Sequence, residues 1–124
     1  MTDSQVSKTT VLVVEDEPIL RFNAVDMLED AGFEAIEAAN SAQAIQILEH
    51  RTDISAVLSD VNMPPGIDGI ELVAIVRDRW PPVRIILVSG HVDRNEMRLP
   101  EGAAFFSKPY RSAEVVAMLN RMTA

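Results

Sequence analysis

Glu15, Asp16, Asp60, Ser89 and Lys108 each stand where an apolar run stops. Val11–Val14 ends in the acids Glu15, Asp16 and Glu17, and Ile54–Ser59 ends in Asp60. Val83–Val88 ends in Ser89, and Ala103–Phe106 ends in Ser107, Lys108 and Pro109. Carboxylates gathered at one place repel one another and retain protons unless a cation offsets their charge. Donors that are all oxygen favour magnesium or manganese over zinc. The single ammonium of Lys108 pairs with one carboxylate and leaves the others for a metal. A carboxylate is also a nucleophile toward phosphorus. The metal and Lys108 would then neutralise the transferred oxygens, and the Ser89 hydroxyl would donate a hydrogen bond to one of them. That is the inventory of a metal-assisted phosphoryl-transfer site.

Each of these residues alone has a plainer reading. Glu15 to Glu17 suit the start of a helix, where the dipole favours acids. Asp60 suits a turn cap, Ser89 a turn and Lys108 a surface loop. Their joint occurrence at strand ends is what favours chemistry, and it depends on the elements that carry them.

Short apolar runs bounded by turn residues read as buried strands. Val11–Val14, Ile54–Ser59, Val83–Val88 and Ala103–Phe106 fit that description, and Phe33–Ala38, broken by Glu34 and Glu37, fits a less buried edge strand. Between them lie helical patterns. Pro18 opens one whose face is Leu20, Ala24, Met27, Leu28 and Ala31, with Gly32 as its stop. Asn40 caps the next, Gln43 completes a capping box, and Ala44, Ile45 and Leu48 form the stripe. Gly69, Leu72, Val73 and Val76 mark a third, which Trp80-Pro81-Pro82 ends. Val92–Leu99 reads as a short polar helix. Ser112 caps a last helix with the stripe Val115, Val116, Leu119 and Met122. Strand and helix alternate five times. That predicts an α/β fold of the flavodoxin-like, doubly wound (βα)5 type, with a parallel sheet in the order 2-1-3-4-5. Strands 1, 3, 4 and 5 are then neighbours, and their carboxyl ends converge on one cleft.

At 124 residues the chain suits one domain, with residues 1–8 as a flexible tail and 9–124 as the folded unit. A net charge of -8 repels phosphate backbones and argues against nucleic-acid binding. The absence of cysteine excludes disulfides, a thiol nucleophile and a cysteine metal site. With only two histidines, His50 and His91, zinc is improbable. The amino terminus lacks the apolar core of a signal peptide, and no apolar run spans a bilayer, so the expectation is a cytoplasmic protein that does not enter a membrane.

The strand-end segments VLVVEDEP (11–18), LSDVNMPPGIDG (58–69), VSG (88–90) and FFSKPY (105–110) resemble, in order, the motifs of receiver domains of bacterial two-component response regulators. The resemblance covers nearly the whole chain after the tail. It implies that Asp60 accepts a phosphoryl group from the phosphohistidine of a sensor histidine kinase. Glu15, Asp16, Asp60 and the main-chain carbonyl of Asn62 would organise magnesium, some through water. Ser89 and Lys108 would bind the phosphoryl group, and Ser89 and Phe105 would act as the switch pair. The sequence departs from the family pattern at Glu15, where Asp is commoner. The MPPGIDG turn carries an extra residue. Lys108 follows Ser89 by 19 residues, a shorter interval than is usual in the family.

The expectation is therefore a single-domain signalling module and not an enzyme. Its output surface would be the Val92–Leu99 helix, the fifth strand and the last helix. It would bind a downstream protein or pass phosphate to a histidine phosphotransferase. A magnesium-dependent phosphohydrolase with an aspartyl-phosphate intermediate is the alternative, but a chain of 124 residues leaves no room for a substrate cap. A flavin module on the same fold ranks last, because Glu15-Asp16-Glu17 would repel the flavin phosphate.

Overall fold

Val11, Leu12, Val13 and Val14 are all buried, as a β-branched run must be when both faces of its strand are covered. They belong to β1 (Thr10–Val14), the first element of a computed structural model that describes residues 8–61, 69–90 and 102–124. The chain continues through α1 (Pro18–Asp30), β2 (Glu34–Ala38), α2 (Ser41–His50), β3 (Ile54–Asp60), α3 (Gly69–Arg79), β4 (Arg84–Ser89), β5 (Ala103–Ser107) and α4 (Ser112–Met122). The five strands form one sheet in the order β2-β1-β3-β4-β5, and every pairing is parallel. The expected topology is observed. The Asn62 carbonyl, the Pro-Gly turn, His91 and the Val92–Leu99 helix lie outside the described residues.

Alternation along the strands divides the core in two. Leu12, Val14, Val57, Ile85, Leu87 and Phe105 face α2 and α3, which contribute Ala44, Leu48, Leu72, Val73 and Val76. Val11, Val13, Ala56, Leu58, Ile86 and Val88 face α1 and α4, which contribute Ala24, Leu28, Val115 and Leu119. β2 is one of the two edge strands, and Glu34 and Glu37 are exposed as the sequence suggests.

Several helix boundaries differ in detail from expectation. Leu20 and Ala31 do not belong to the buried face of α1; Leu20 is 43% exposed, because it lies beyond the sheet edge and over the cleft described below. Gly32 adopts φ 95°, the left-handed stop that its position after α1 predicts. Asn40 Oδ1 accepts from Gln43 N at 2.8 Å, but the Gln43 side chain reaches back to Ala39 N rather than Asn40 N. Ser112 is not the cap of α4. Arg111 holds that position without a side-chain hydrogen bond, and Ser112 is the first helical residue. Trp80 is half-buried against the α2–α3 side of the core, with the Arg79 guanidinium 4.4 Å above its ring.

Candidate functional site

The strand register brings the polar ends together. Val14 is level with Ser59, Asp60 with Val88, and Ser89 with Ser107. The residues next along each strand therefore emerge at one edge of the sheet. The Lys108 amide donates to the Ser89 carbonyl at 2.9 Å, which extends the β4–β5 ladder by one step and directs the Lys108 side chain inward. The Lys108–Pro109 peptide bond is cis.

Lys108 Nζ donates to Asp60 Oδ2 at 2.9 Å and to Glu15 Oε1 at 3.2 Å. One ammonium thus serves two carboxylates, where the sequence suggested a pair. The second Glu15 oxygen, Oε2, accepts from the Glu17 amide at 3.1 Å. Glu17 in turn caps α1, with Oε2 accepting from Ile19 N at 3.1 Å and Leu20 N at 3.0 Å. The acidic run is thus both a helix cap and a site.

Glu15 is buried, whereas Asp16 is exposed. Burial pushes the Glu15 carboxyl above its ordinary value. The Glu17 N–H and the Lys108 charge oppose that rise, and the Asp60 charge adds to it. Burial pulls Lys108 down, but the hydrogen bond it donates to Asp60 and the charges of Glu15 and Asp60 outweigh it, so its ammonium is held above the ordinary value. Burial also raises the Tyr110 phenol; the Lys108 charge opposes this and the Glu15 charge adds to it.

Carboxylate oxygens of Glu15, Asp16 and Asp60 lie within 4.8 Å of one another. Among the described residues, Lys108 forms ion pairs with two of these three acids, Glu15 and Asp60. Three hard oxygen donors so gathered fit a magnesium-type ion. They do not fit zinc, which takes nitrogen and sulfur ligands in most protein sites.

Ser89 is buried at the end of β4, beside the Lys108 strand end. Phe105 is also buried, packed into the core on the α2–α3 side rather than turned to solvent. The sequence-predicted residues Glu15, Asp16, Asp60, Ser89 and Lys108 thus gather at one edge of the sheet, with Phe105 one layer below.

Two contributors were not apparent from the sequence. Gly69, read there as part of a helical face and as the end of the MPPGIDG turn, starts α3 directly against Asp60. Its amide donates to the Val61 carbonyl at 2.7 Å, and a Cβ at this position would collide with the Asp60 carbonyl and lie 2.8 Å from Val61 Cα. The available signal was a glycine opening a helix close after the acid. The other is Arg21, whose Nη1 donates to the Glu15 carbonyl at 2.9 Å. A basic residue less than two turns beyond an acidic pair was a visible but weak signal.

Beside the acids a cleft of about 500 Å³ opens between α1 and α4. Leu20, Ala24, Met27, Leu58, Val88 and Tyr110 supply its apolar lining, and Glu15, Asp60 and Lys108 its polar end. The phosphoacceptor candidate is therefore accessible from the α1 side of the sheet.

Residues 11–120 match the family described as response regulator receiver domain. The response regulator protein FleR of Pseudomonas aeruginosa is 38% identical over 114 residues, which are 90% of this chain and 24% of that protein. The chain spans about a quarter of the length of such curated relatives. A response regulator receiver protein from Sinorhizobium medicae superposes with a TM-score of 0.85 at 26% identity, covering 94% of this chain and 95% of the other. The response regulator TrrA of Thermotoga maritima, solved in complex with Mg2+ and BeF, gives 0.83 at 25% identity, covering 94% and 99%.

Proposed function

The chain belongs to the response regulator receiver domain family, and on that premise we propose that it is a phosphorylation-dependent signalling receiver with Asp60 as phosphoacceptor. The observation that carries the assignment is the position of Asp60: at the end of the central strand, 2.9 Å from Lys108 and within reach of Glu15 and Asp16. The donor would be the phosphohistidine of a sensor histidine kinase. An Asp60 carboxylate oxygen attacks phosphorus, the phosphorus–nitrogen bond breaks, and the imidazole leaves with that electron pair. The product on this chain is an aspartyl phosphate.

Glu15, Asp16 and Asp60 would hold magnesium or manganese, joined by the Asn62 carbonyl that the family pattern supplies. The bound ion offsets charge on the phosphoryl oxygens. TrrA's complex with Mg2+ and BeF supports this reading for a relative of similar fold. Lys108, paired with Asp60 before transfer, would pair with a phosphoryl oxygen afterwards. Ser89 donates its hydroxyl to another. Such preorganised donors act where charge develops. The low exposure of Glu15 strengthens each of these interactions by excluding water.

Ser89 and Phe105 form the switch. A phosphoryl oxygen draws Ser89 toward the site, and the Phe105 ring follows into the space behind it. Phosphate biases this equilibrium only through contacts that differ between the two states. The output surface comprises residues 92–99, β5 and α4, and it binds a downstream protein or a histidine phosphotransferase. The partners of this function are proteins, and its setting is the cytoplasm.

Intact-mass measurement after treatment with acetyl phosphate and magnesium tests the assignment. Wild type gains one acid- and hydroxylamine-labile phosphoryl group, and Asp60→Asn gains none. Undiminished labelling of Asp60→Asn would overturn it. Amide exchange with and without beryllofluoride tests the switch: the largest change outside the metal-binding loops falls in residues 89–106. A response confined to α1–α3 would exclude this route of transmission.

A further inference from the structure

We propose that Arg21 is a positioning residue for the metal-binding acids, an inference that rests on the reading of the site given above. Arg21 lies in the second turn of α1, and its side chain is 20% exposed. Its Nη1 donates to the Glu15 main-chain carbonyl at 2.9 Å, and its Nε donates to Glu37 Oε1, near the end of β2, at 3.0 Å. The amide of Glu15 meanwhile donates to the Ala38 carbonyl at 3.0 Å. Glu15 is thus held on both of its main-chain groups, on the amide side by β2 and on the carbonyl side by α1 through Arg21.

The Glu15 carbonyl belongs to the rigid peptide unit that begins Asp16. Its direction sets where the Asp16 amide and Cα stand. Asp16 is exposed and caps nothing, so the aim of its carboxylate depends on this backbone. Arg21 therefore acts on the metal ligands through a peptide plane and touches neither carboxylate. A planar guanidinium has donors on separate nitrogens in a fixed fork, and so bridges two acceptors on different elements. A lysine ammonium is a single point and cannot reproduce that bridge.

Charge and positioning predict opposite results. The Arg21 cation repels a metal cation, so if Arg21 acted only through its charge, removing it would tighten metal binding. If Arg21 orients the ligands, removing it loosens binding. Loss of such an outer partner typically weakens metal affinity by about 10–100-fold.

The experiment is a magnesium titration of the whole chain followed by NMR on the amides of residues 14–17 and 60–61. Arg21→Met is expected to bind magnesium about tenfold more weakly, at the low end of that range. Arg21→Lys keeps the charge and much of the stem, and is expected to bind more weakly than wild type as well. It also covers the case in which Arg21→Met fails to fold. Saturating magnesium is expected to restore the rate of Arg21→Lys phosphorylation by acetyl phosphate to that of wild type, which general misfolding would not allow. Wild-type affinity in Arg21→Lys, tighter binding in Arg21→Met, or a rate that stays low at saturating magnesium would each overturn the proposal. A wild-type chain that does not bind magnesium would instead remove the reading of the site itself.

Discussion

The two ends of the sheet handle charge in opposite ways. At the amino-terminal edge, Arg51 forms a forked pair with Asp53 at 2.9 and 2.6 Å, and Arg79 meets Glu49 at 2.8 Å. These groups are largely exposed, and Arg51 and Asp53 each stabilise the charged form of the other, raising the guanidinium and lowering the carboxyl. At the carboxyl-terminal edge, Lys108 is divided between Glu15 and Asp60 while Asp16 stands beside them. Burial there works against the Glu15 charge. Pairing at one end is exposed to solvent. At the other, one ammonium is shared between two partly dry carboxylates beside a third, and a second cation would relieve their mutual repulsion.

The comparison breaks most sharply if Lys108 is removed. Lys108→Met leaves two largely buried carboxylates without their cation, and breaking a buried ion pair in this way costs about 3–5 kcal/mol. Urea denaturation at pH 7 checks this, with the low end expected because Lys108 is 24% exposed. A loss no greater than that of a surface pair would mean that the two ends do not differ.

Magnesium should stabilise this end alone. Binding to the native state at a concentration 100-fold above the dissociation constant adds about 2.7 kcal/mol. Thermal unfolding with and without magnesium measures it. Asp16→Asn should lose most of the gain, and Glu15→Gln less, because a short Asp side chain holds a carboxylate with less rotameric freedom. Equal losses would refute the ranking.

The pH dependence is a finer test. The folded protein holds a proton on Glu15 at pH values where the unfolded chain has released it. That term favours the native state below the ordinary value of 4.5 and is lost as pH rises through the higher folded value. Lys108 has the same sign at alkaline pH: its contribution is present below 10.5 and is lost as pH rises through its raised folded value. In metal-free buffer, Glu15→Gln should remove the decline above pH 4.5, as read from urea midpoints at successive pH values. An unchanged slope would place the titration elsewhere.

The smallest effect belongs to the other end. Asp53→Ala removes an exposed partner of Arg51 and should shift the urea midpoint within experimental scatter, with any shift vanishing at high salt.

What the residues alone determined was local and periodic. Alternation in Phe33–Ala38 marked an edge strand, unbroken β-branched runs marked covered strands, and Pro18, Gly32 and Asn40 marked helix ends. Each depends on a neighbour or on a repeat of two or 3.6 residues, so each is legible without coordinates. Parallel connectivity then placed Glu15, Asp60, Ser89 and Lys108 at one edge by topology. The Ser112 cap was misread by one position because boundary residues carry little periodic signal.

Tertiary structure decided what depends on distance between remote residues. Lys108 meets Glu15 and Asp60 across separations of 93 and 48 positions, and no pattern in the chain says that one ammonium serves both. Nor does any pattern say that Glu15 is buried while Asp16 is exposed, or that the start of α3 touches the Asp60 backbone. Arg21 reads as an ordinary helix-surface cation until the fold brings the ends of β1 and β2 beneath it. Residue type and spacing name the groups that can act. Only packing sets the dielectric around them and the angles at which they meet, and those decide how strongly each group holds a proton, a metal or a phosphoryl oxygen.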